Sequence, residues 1–153
     1  MHLIMKQEIN WKLPPEEKIY EAFSVLADNR YELTGEGKAT VTSSGGDKKY
    51  QVSWSRLENK LKVFSNDNAS RWQGYTGYPI IAVLMFTGMI SIDRGIIRYF
   101  KDIPWNTLNK AHKNNYRAAV EEVLAPLNPD VQYHIREEVK RIYDRISEMV
   151  LVR

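Results

Sequence analysis

The chain has 153 residues, of which 43% are hydrophobic and 27% are charged, and it contains no cysteine. This is the composition of a soluble globular protein, and the length suits one domain around a single core. The lack of cysteine excludes disulfides, thiolate metal sites and cysteine nucleophiles. It also favours a reducing compartment. We therefore expect a single domain, residues 1–153, in the cytoplasm.

The net charge of +3 is concentrated in one segment. Residues 94–125 carry 6 basic and 3 acidic side chains, whereas the two charge signs balance on either side of this segment. A local basic excess indicates an anionic partner better than the total charge does. The basic residues of this segment are Arg94, Arg98, Lys101, Lys110, Lys113 and Arg117.

The first half of the chain predicts a helix followed by a small sheet. The sequence LPPEEK is typical of a helix start, because proline suits the first turn and glutamate favours the positive end of the helix dipole. From about Tyr31 to Ser65, several segments alternate apolar and polar side chains, and SGGD between two of them is a hairpin turn. We expect an antiparallel meander of three or four strands.

The stretch from Trp72 to Ile92 carries no charged residue and is about as long as a bilayer span. Polar residues, glycines and Pro79 crowd its first half, so that only the second half is densely apolar. The pattern therefore predicts a buried core helix from Pro79 to about Met89, and no association with a membrane.

The second half of the chain is predicted to be helical. Apolar residues from Trp105 to Val123 recur at about 100° per residue, which indicates one helix. Asn128 and Pro129 then begin the last helix as its cap and first position. The fold class is therefore α+β: an N-terminal helix, a small antiparallel three- or four-stranded meander and a C-terminal helical half.

The sequence offers little evidence for catalysis. It contains no G-x-S-x-G, no glycine-rich phosphate loop and no H-E-x-x-H, and its three histidines form no set with metal-ligand spacing. His112 lies on the apolar face of the predicted helix, where a histidine is usually a core residue; a general base is the alternative. We expect a protein that is not an enzyme and that needs no metal or cofactor.

One face of the helix predicted from Trp105 is basic. Four of its polar residues fall within about 40° of one another opposite the apolar stripe. Lysine and arginine neutralise phosphates, and asparagine can contact base edges. The pattern predicts contact with DNA or RNA, and a solvated helix face is the alternative. The predicted contact residues are Arg98, Lys101, Asn106, Lys110, Lys113 and Arg117.

The segment RWQGYTGY is an aromatic loop formed by Arg71, Trp72, Tyr75 and Tyr78. Its rings can stack on bases or line a groove for a partner. The alternative is that they cover the edge of the sheet. The apolar stripe of the last helix has nearly heptad spacing and suits either packing on the core or pairing of two subunits in a homodimer.

The order of elements and the helix opening GYPIIAVLM resemble the SWIM zinc domain over roughly residues 16–90, with residues 91–153 as a helical extension. That family has the pattern C-x-C-x(n)-C-x-H in a ββα arrangement, and the resemblance implies a module that binds DNA or proteins. Here the ligand positions fall on Phe64, Asn66, Gly77 and Pro79, so no zinc-binding role is carried over. We expect Phe64 and the aromatic loop to fill the space of the metal.

These observations together predict a non-enzymatic binding module. Its predicted ligand is nucleic acid or a protein associated with nucleic acid, held through the basic helix face. The alternative is a protein-interaction or homodimerisation module that binds no nucleic acid.

Overall fold

An antiparallel meander forms the sheet that the alternating pattern predicts. The computed structural model describes residues 8–153. The first four strands pair in chain order, each antiparallel to the next. At the SGGD turn Gly46 has a φ of 77°, which glycine adopts without strain. The strands are β1 (Tyr31–Gly35), β2 (Lys38–Thr42), β3 (Lys49–Leu57) and β4 (Lys60–Ser65).

A fifth strand, β5 (Leu151–Val152), runs parallel to β4 and completes the sheet. The described N-terminal segment holds it, because the Trp11 amide donates a 3.0 Å hydrogen bond to the Leu151 carbonyl. The Trp11 indole donates a further 3.0 Å hydrogen bond to the carbonyl of Val63. The sequence pattern does not indicate β5, since two residues are too few to show an alternation.

Two helices, α1 (Glu17–Ala27) and α2 (Tyr78–Phe86), join the sheet in one hydrophobic core. Helix α2 is buried from Pro79 to Met85, as expected for a helix that is apolar on all sides. This confirms the predicted core helix. Within residues 8–153, no helix combines the length and the apolar composition needed to cross a membrane.

The single helix predicted from Trp105 to Val123 is wrong, because it is broken into α3 (Trp105–Ala111) and α4 (Tyr116–Leu124). Lys113 and Asn114 adopt left-handed φ angles of 53° and 63°. The Asn115 side chain then accepts a 3.1 Å hydrogen bond from the Ala118 amide and caps α4. Asparagine tolerates the left-handed region and favours the cap position, and these local preferences outweigh the continuous apolar period.

The last helix, α5 (Pro129–Glu148), begins at the predicted Asn128 cap, whose side chain accepts a 2.8 Å hydrogen bond from Asp130. Its stripe is in the core of its own chain: Ile135, Val139 and Ile142 are 0% exposed. The stripe therefore packs on the core of its own chain, which is one of the two arrangements that its spacing suits. A 3-10 helix at Arg94–Phe100, together with α3 and α4, completes the α+β fold.

Candidate binding cleft

A cleft with a volume of about 310 Å³ opens where α1, β3, α3 and the loop between β4 and α2 meet. We call it the aromatic–amide cleft, because most of its lining is aromatic rings and side-chain amides. A short π-helical turn, Ala69–Gln73, carries part of its wall. Its lining residues are Lys18, Glu21, Tyr50, Asp67, Asn68, Ala69, Trp72, Gln73, Tyr75, Tyr78, Asn106, Asn109, Lys110, Asn114 and Tyr116.

A buried ion pair lines the cleft on the α1 side. Lys18 Nζ lies 2.9 Å from Glu21 Oε2, and these side chains are only 9% and 7% exposed. Asn109 on α3 donates a 3.3 Å hydrogen bond to Glu21 Oε1. The Lys18 ammonium also lies 3.9 Å from the centre of the Tyr116 ring, a cation–π contact. These contacts tie α1 to α3 and α4 and fix this wall.

Burial controls the ionisation of the groups in the cleft. It raises the pKa of the Glu21 carboxyl, although Lys18 opposes this shift. Burial alone would lower the pKa of Lys18, but the charge and hydrogen bond of Glu21 outweigh it and leave that pKa raised. Burial likewise raises the pKa of the phenols of Tyr50, Tyr75 and Tyr78. Lys18 is therefore a cation at neutral pH, and the three tyrosines are available as donors.

A polar network holds the loop that carries Trp72. The Asp67 carboxylate, 4% exposed, accepts a 3.1 Å hydrogen bond from the Ser70 amide and another from the Ser65 hydroxyl. Ser70 Oγ in turn accepts a 3.1 Å hydrogen bond from the amide of Gly77. The end of β4 is thus connected to the start of α2.

The rings expected to replace a zinc ion do not do so. Phe64 is 59% exposed and Trp72 is 74% exposed, so the expectation that they fill a metal's space is wrong. Polar side chains occupy the interior of this loop instead. Among residues 8–153, no group of three or more His, Asp or Glu side chains is placed to hold a metal ion. The SWIM resemblance stays a prediction without support from packing.

The structure brings the two predicted contact regions together. Trp72, Tyr75 and Tyr78 line the cleft on one side, and Asn106 and Lys110 line it on the other. Arg71, the remaining residue of the predicted loop, lies beside the cleft with its guanidinium 5.7 Å from the centre of the Trp72 ring. The aromatic loop and the start of the predicted basic helix therefore share one surface.

The rest of the predicted basic face is dispersed. Lys113 lies in the break between α3 and α4. The predicted basic residues after Lys110 are therefore not on the same helix face as Asn106 and Lys110. Arg117 lines a separate groove. Arg98 lines another, where it donates a 2.9 Å hydrogen bond to Tyr99, and Lys101 directly follows the 3-10 helix.

His112 does not line the aromatic–amide cleft. It ends α3, and its Nε2 lies 3.6 Å from the Glu122 carboxylate. The hypothesis of an enzyme based on His112 needs this side chain in a cleft, so this cleft does not support it. His134 lies elsewhere and forms a 2.6 Å contact with Asp93. His2 is outside the described residues.

Sequence reasoning missed the charged pair and most of the amides. Lys18 and Glu21 stand three residues apart on a helix, a spacing typical of exposed ion pairs, and nothing local indicates that both are buried. The amides have a signal in the sequence that the charged pair lacks, since the segment WNTLNKAHKNN contains four asparagines in eleven residues. This concentration of asparagine within a helical pattern is the feature that could have indicated a surface lined by amides.

The comparisons with known proteins give a family but no named relative. No curated protein and no solved structure matches the chain. A family model matches residues 11–152, a range that includes every residue of the aromatic–amide cleft. The chain therefore belongs to the family described as uncharacterised conserved protein UCP014422.

Proposed function

We propose that this protein is a non-enzymatic module that binds single-stranded nucleic acid and takes a base into the aromatic–amide cleft. The observation that carries the proposal is the meeting of the Trp72 loop with Asn106 and Lys110 across one cleft. Neither region alone supports more than a solvated surface. Together they provide stacking, hydrogen bonding and positive charge in one place.

The aromatic side chains supply the stacking surface. Five of the lining residues are aromatic, and Trp72, at 74% exposure, is open to a ligand. Stacking of a base on an aromatic ring contributes roughly 1–3 kcal/mol and tolerates any base. The rings are Tyr50, Trp72, Tyr75, Tyr78 and Tyr116.

The amide side chains supply the polar contacts. An amide side chain has both donors and an acceptor, which match the mixed donor and acceptor pattern on the edge of a base. Asn109 is buried and already donates to Glu21, so the contacts fall mainly to the other amides. A base in a duplex has its pairing edge occupied, so an unpaired base suits the cleft better. The amides are Asn68, Gln73, Asn106, Asn109 and Asn114.

The charges of the cleft favour a phosphate at its edge. Lys110 is exposed and makes no ion pair among residues 8–153, so its ammonium is available to an anion. The two acidic lining residues, Glu21 and Asp67, are buried and hydrogen-bonded within the protein. Arg71 beside Trp72 adds a second exposed cation.

Fluorescence anisotropy with a labelled single strand of about 12 nucleotides at about 50 mM salt tests the proposal. The wild type binds, and Trp72→Ala weakens binding about tenfold, since one stacking contact is lost. Tyr133→Ala is the matched control, because Tyr133 is 67% exposed on α5 and does not line the cleft. Absence of binding to both DNA and RNA, or equal losses in the two variants, contradicts the proposal.

The alternative function is docking of a protein on the same surface. It is favoured by one observation, the exposed Trp72 ring, because tryptophan is enriched at the centres of protein interfaces. The apolar stripe of α5 does not support homodimerisation, since it is buried in the core of its own chain. Light scattering and analysis of co-purifying proteins separate this alternative from the first: a strict monomer without a protein partner counts against it.

A further inference from the structure

The outer face of the sheet is a second surface with a distinctive composition. Side chains alternate along β2 and β4, so that one set is buried and the other faces away from the core. The outward set consists of lysine, threonine and one aromatic residue, Phe64, which is 59% exposed. The basic residues in the outward register are Lys38, Lys49, Lys60 and Lys62, and Glu32 is the single acidic residue of strands β1–β4.

The register places Phe64 among these lysines. Phe64 lies opposite Ser53, and Ser53 lies opposite Lys38, so these three residues form one row across three strands. Directly opposite side chains have Cβ atoms about 5 Å apart. Lys62 points to the same side two residues away along β4, roughly 7 Å from Phe64. An exposed ring thus has one lysine about 7 Å away along its own strand and another about 10 Å away across two strands.

Most of the outward lysines on this face have no ion-pair partner among residues 8–153. Lys60 forms a 2.9 Å ion pair with Glu8. Lys38, Lys49 and Lys62 make no ion pair within residues 8–153. The hairpin turns that border the face add Glu36, Asp47 and Glu58. The positive charge is thus concentrated on the strands, where unpaired lysines can contact a polyanion.

The chain after Phe64 runs from the outer face to the wall of the aromatic–amide cleft. After Phe64, Asn66 continues the edge of the sheet, and its side chain accepts a 2.8 Å hydrogen bond from the Gln51 amide. Asn68 and Trp72 follow within the next six residues and line the cleft. Only eight positions of the chain separate Phe64 from Trp72, and a linear ligand that binds both rings would follow this loop.

We propose that the outer face of the sheet is a second subsite for the same strand of nucleic acid. Phe64 stacks on one base, while Lys38 and Lys62 contact phosphates on either side of it. The inference rests on the proposed function and extends it, since it makes affinity depend on strand length. It also gives a role to an exposed aromatic side chain that the fold does not need.

Anisotropy with labelled strands of about 4 and about 12 nucleotides tests the inference. Phe64→Ala weakens binding of the longer strand about tenfold, and Lys62→Ala lowers the slope of log affinity against log salt by about one. Leu33→Ala and Lys140→Ala are the matched controls. Leu33 is 61% exposed but shares the register of the inner-face residue Ala39, and Lys140 is exposed on α5.

The outcomes separate this inference from the proposed function. If the wild type binds and Trp72→Ala weakens binding while Phe64→Ala and Lys62→Ala behave like their controls, the sheet subsite alone is overturned. If the wild type binds neither strand, both proposals fail. If Lys62→Ala weakens binding to phosphatidylserine vesicles and leaves binding of the strands unchanged, the face is a lipid surface and the inference is overturned.

Discussion

The carboxylate of Asp67 lies directly against the α-carbon of Gly77, and a Cβ added at Gly77 would overlap it. The φ of Gly77 is −71°, so the glycine is not required for backbone conformation. It is required for space, because Asp67 and Ser70 occupy the position of a side chain. This contact sets the loop that presents Trp72 to the cleft.

Gly77→Ala is expected to destabilise the protein by about 1–3 kcal/mol, since the added methyl group overpacks the polar network. Urea denaturation measures this loss. Gly35→Ala is the control, because the nearest atoms to a Cβ there are 3.9 Å away, and its effect stays within about 0.5 kcal/mol. Equal effects at the two glycines would show that the network tolerates a methyl group.

The buried Glu21 makes stability depend on pH. Its pKa in the folded protein is raised above 4.5, chiefly by burial, so the folded state binds the proton more tightly than the unfolded state. As pH rises from 4.5 through the raised pKa, the wild type therefore loses stability relative to Glu21→Gln, which has no proton to release. Urea denaturation of both proteins between about pH 4 and pH 7 checks this. If the wild type gains stability relative to Glu21→Gln as pH rises over this range, the raised pKa of Glu21 is contradicted.

Trp105, the first residue of α3, and Trp72, which lines the cleft, are expected to differ in their contribution to stability. Trp105→Ala costs about 3–5 kcal/mol, because Trp105 is 2% exposed and donates a 2.7 Å hydrogen bond to Ser24. Trp72→Ala costs at most about 0.5 kcal/mol, since that ring is exposed. Denaturant midpoints of the two variants provide the comparison. A large loss of stability with Trp72→Ala would assign this ring to the fold and not to a ligand.

The break between α3 and α4 depends on a local cap. Asn115→Ala removes the hydrogen bond to the Ala118 amide and is expected to cost about 1 kcal/mol. Asn115→Asp keeps an acceptor at the cap and preserves most of that stability. Thermal unfolding of the two variants distinguishes them. If alanine and aspartate behave alike, the cap is not what restarts the helix.

The sequence predicted the elements whose patterns are local. Alternation in β2, β3 and β4 identified the meander, and the apolar run after Pro79 identified α2, because each pattern follows directly from the burial of one element. The break at Lys113 and Asn114 was missed, since the apolar period continues across it. Strand β5 was missed because it depends on a parallel partner, Leu61, that lies ninety residues earlier in the chain.

The candidate site was predicted only in part for the same reason. Trp72, Tyr75 and Lys110 are recognisable as candidate aromatic and basic contact residues from their neighbours in sequence. The burial of Lys18 and Glu21 follows only from how α1 packs against α3 and α4. Tertiary packing, which one sequence without its fold does not reveal, determined which of the predicted residues meet.

If a base stacks on Trp72 in the aromatic–amide cleft, the environment of that indole changes on binding. The most direct test is a tryptophan fluorescence titration with an unlabelled single strand, because stacking quenches an indole. Saturable quenching is expected in the wild type and in Tyr133→Ala, and this quenching is expected to be lost in Trp72→Ala. Quenching of the same amplitude in Trp72→Ala, or none in the wild type, would contradict stacking on Trp72.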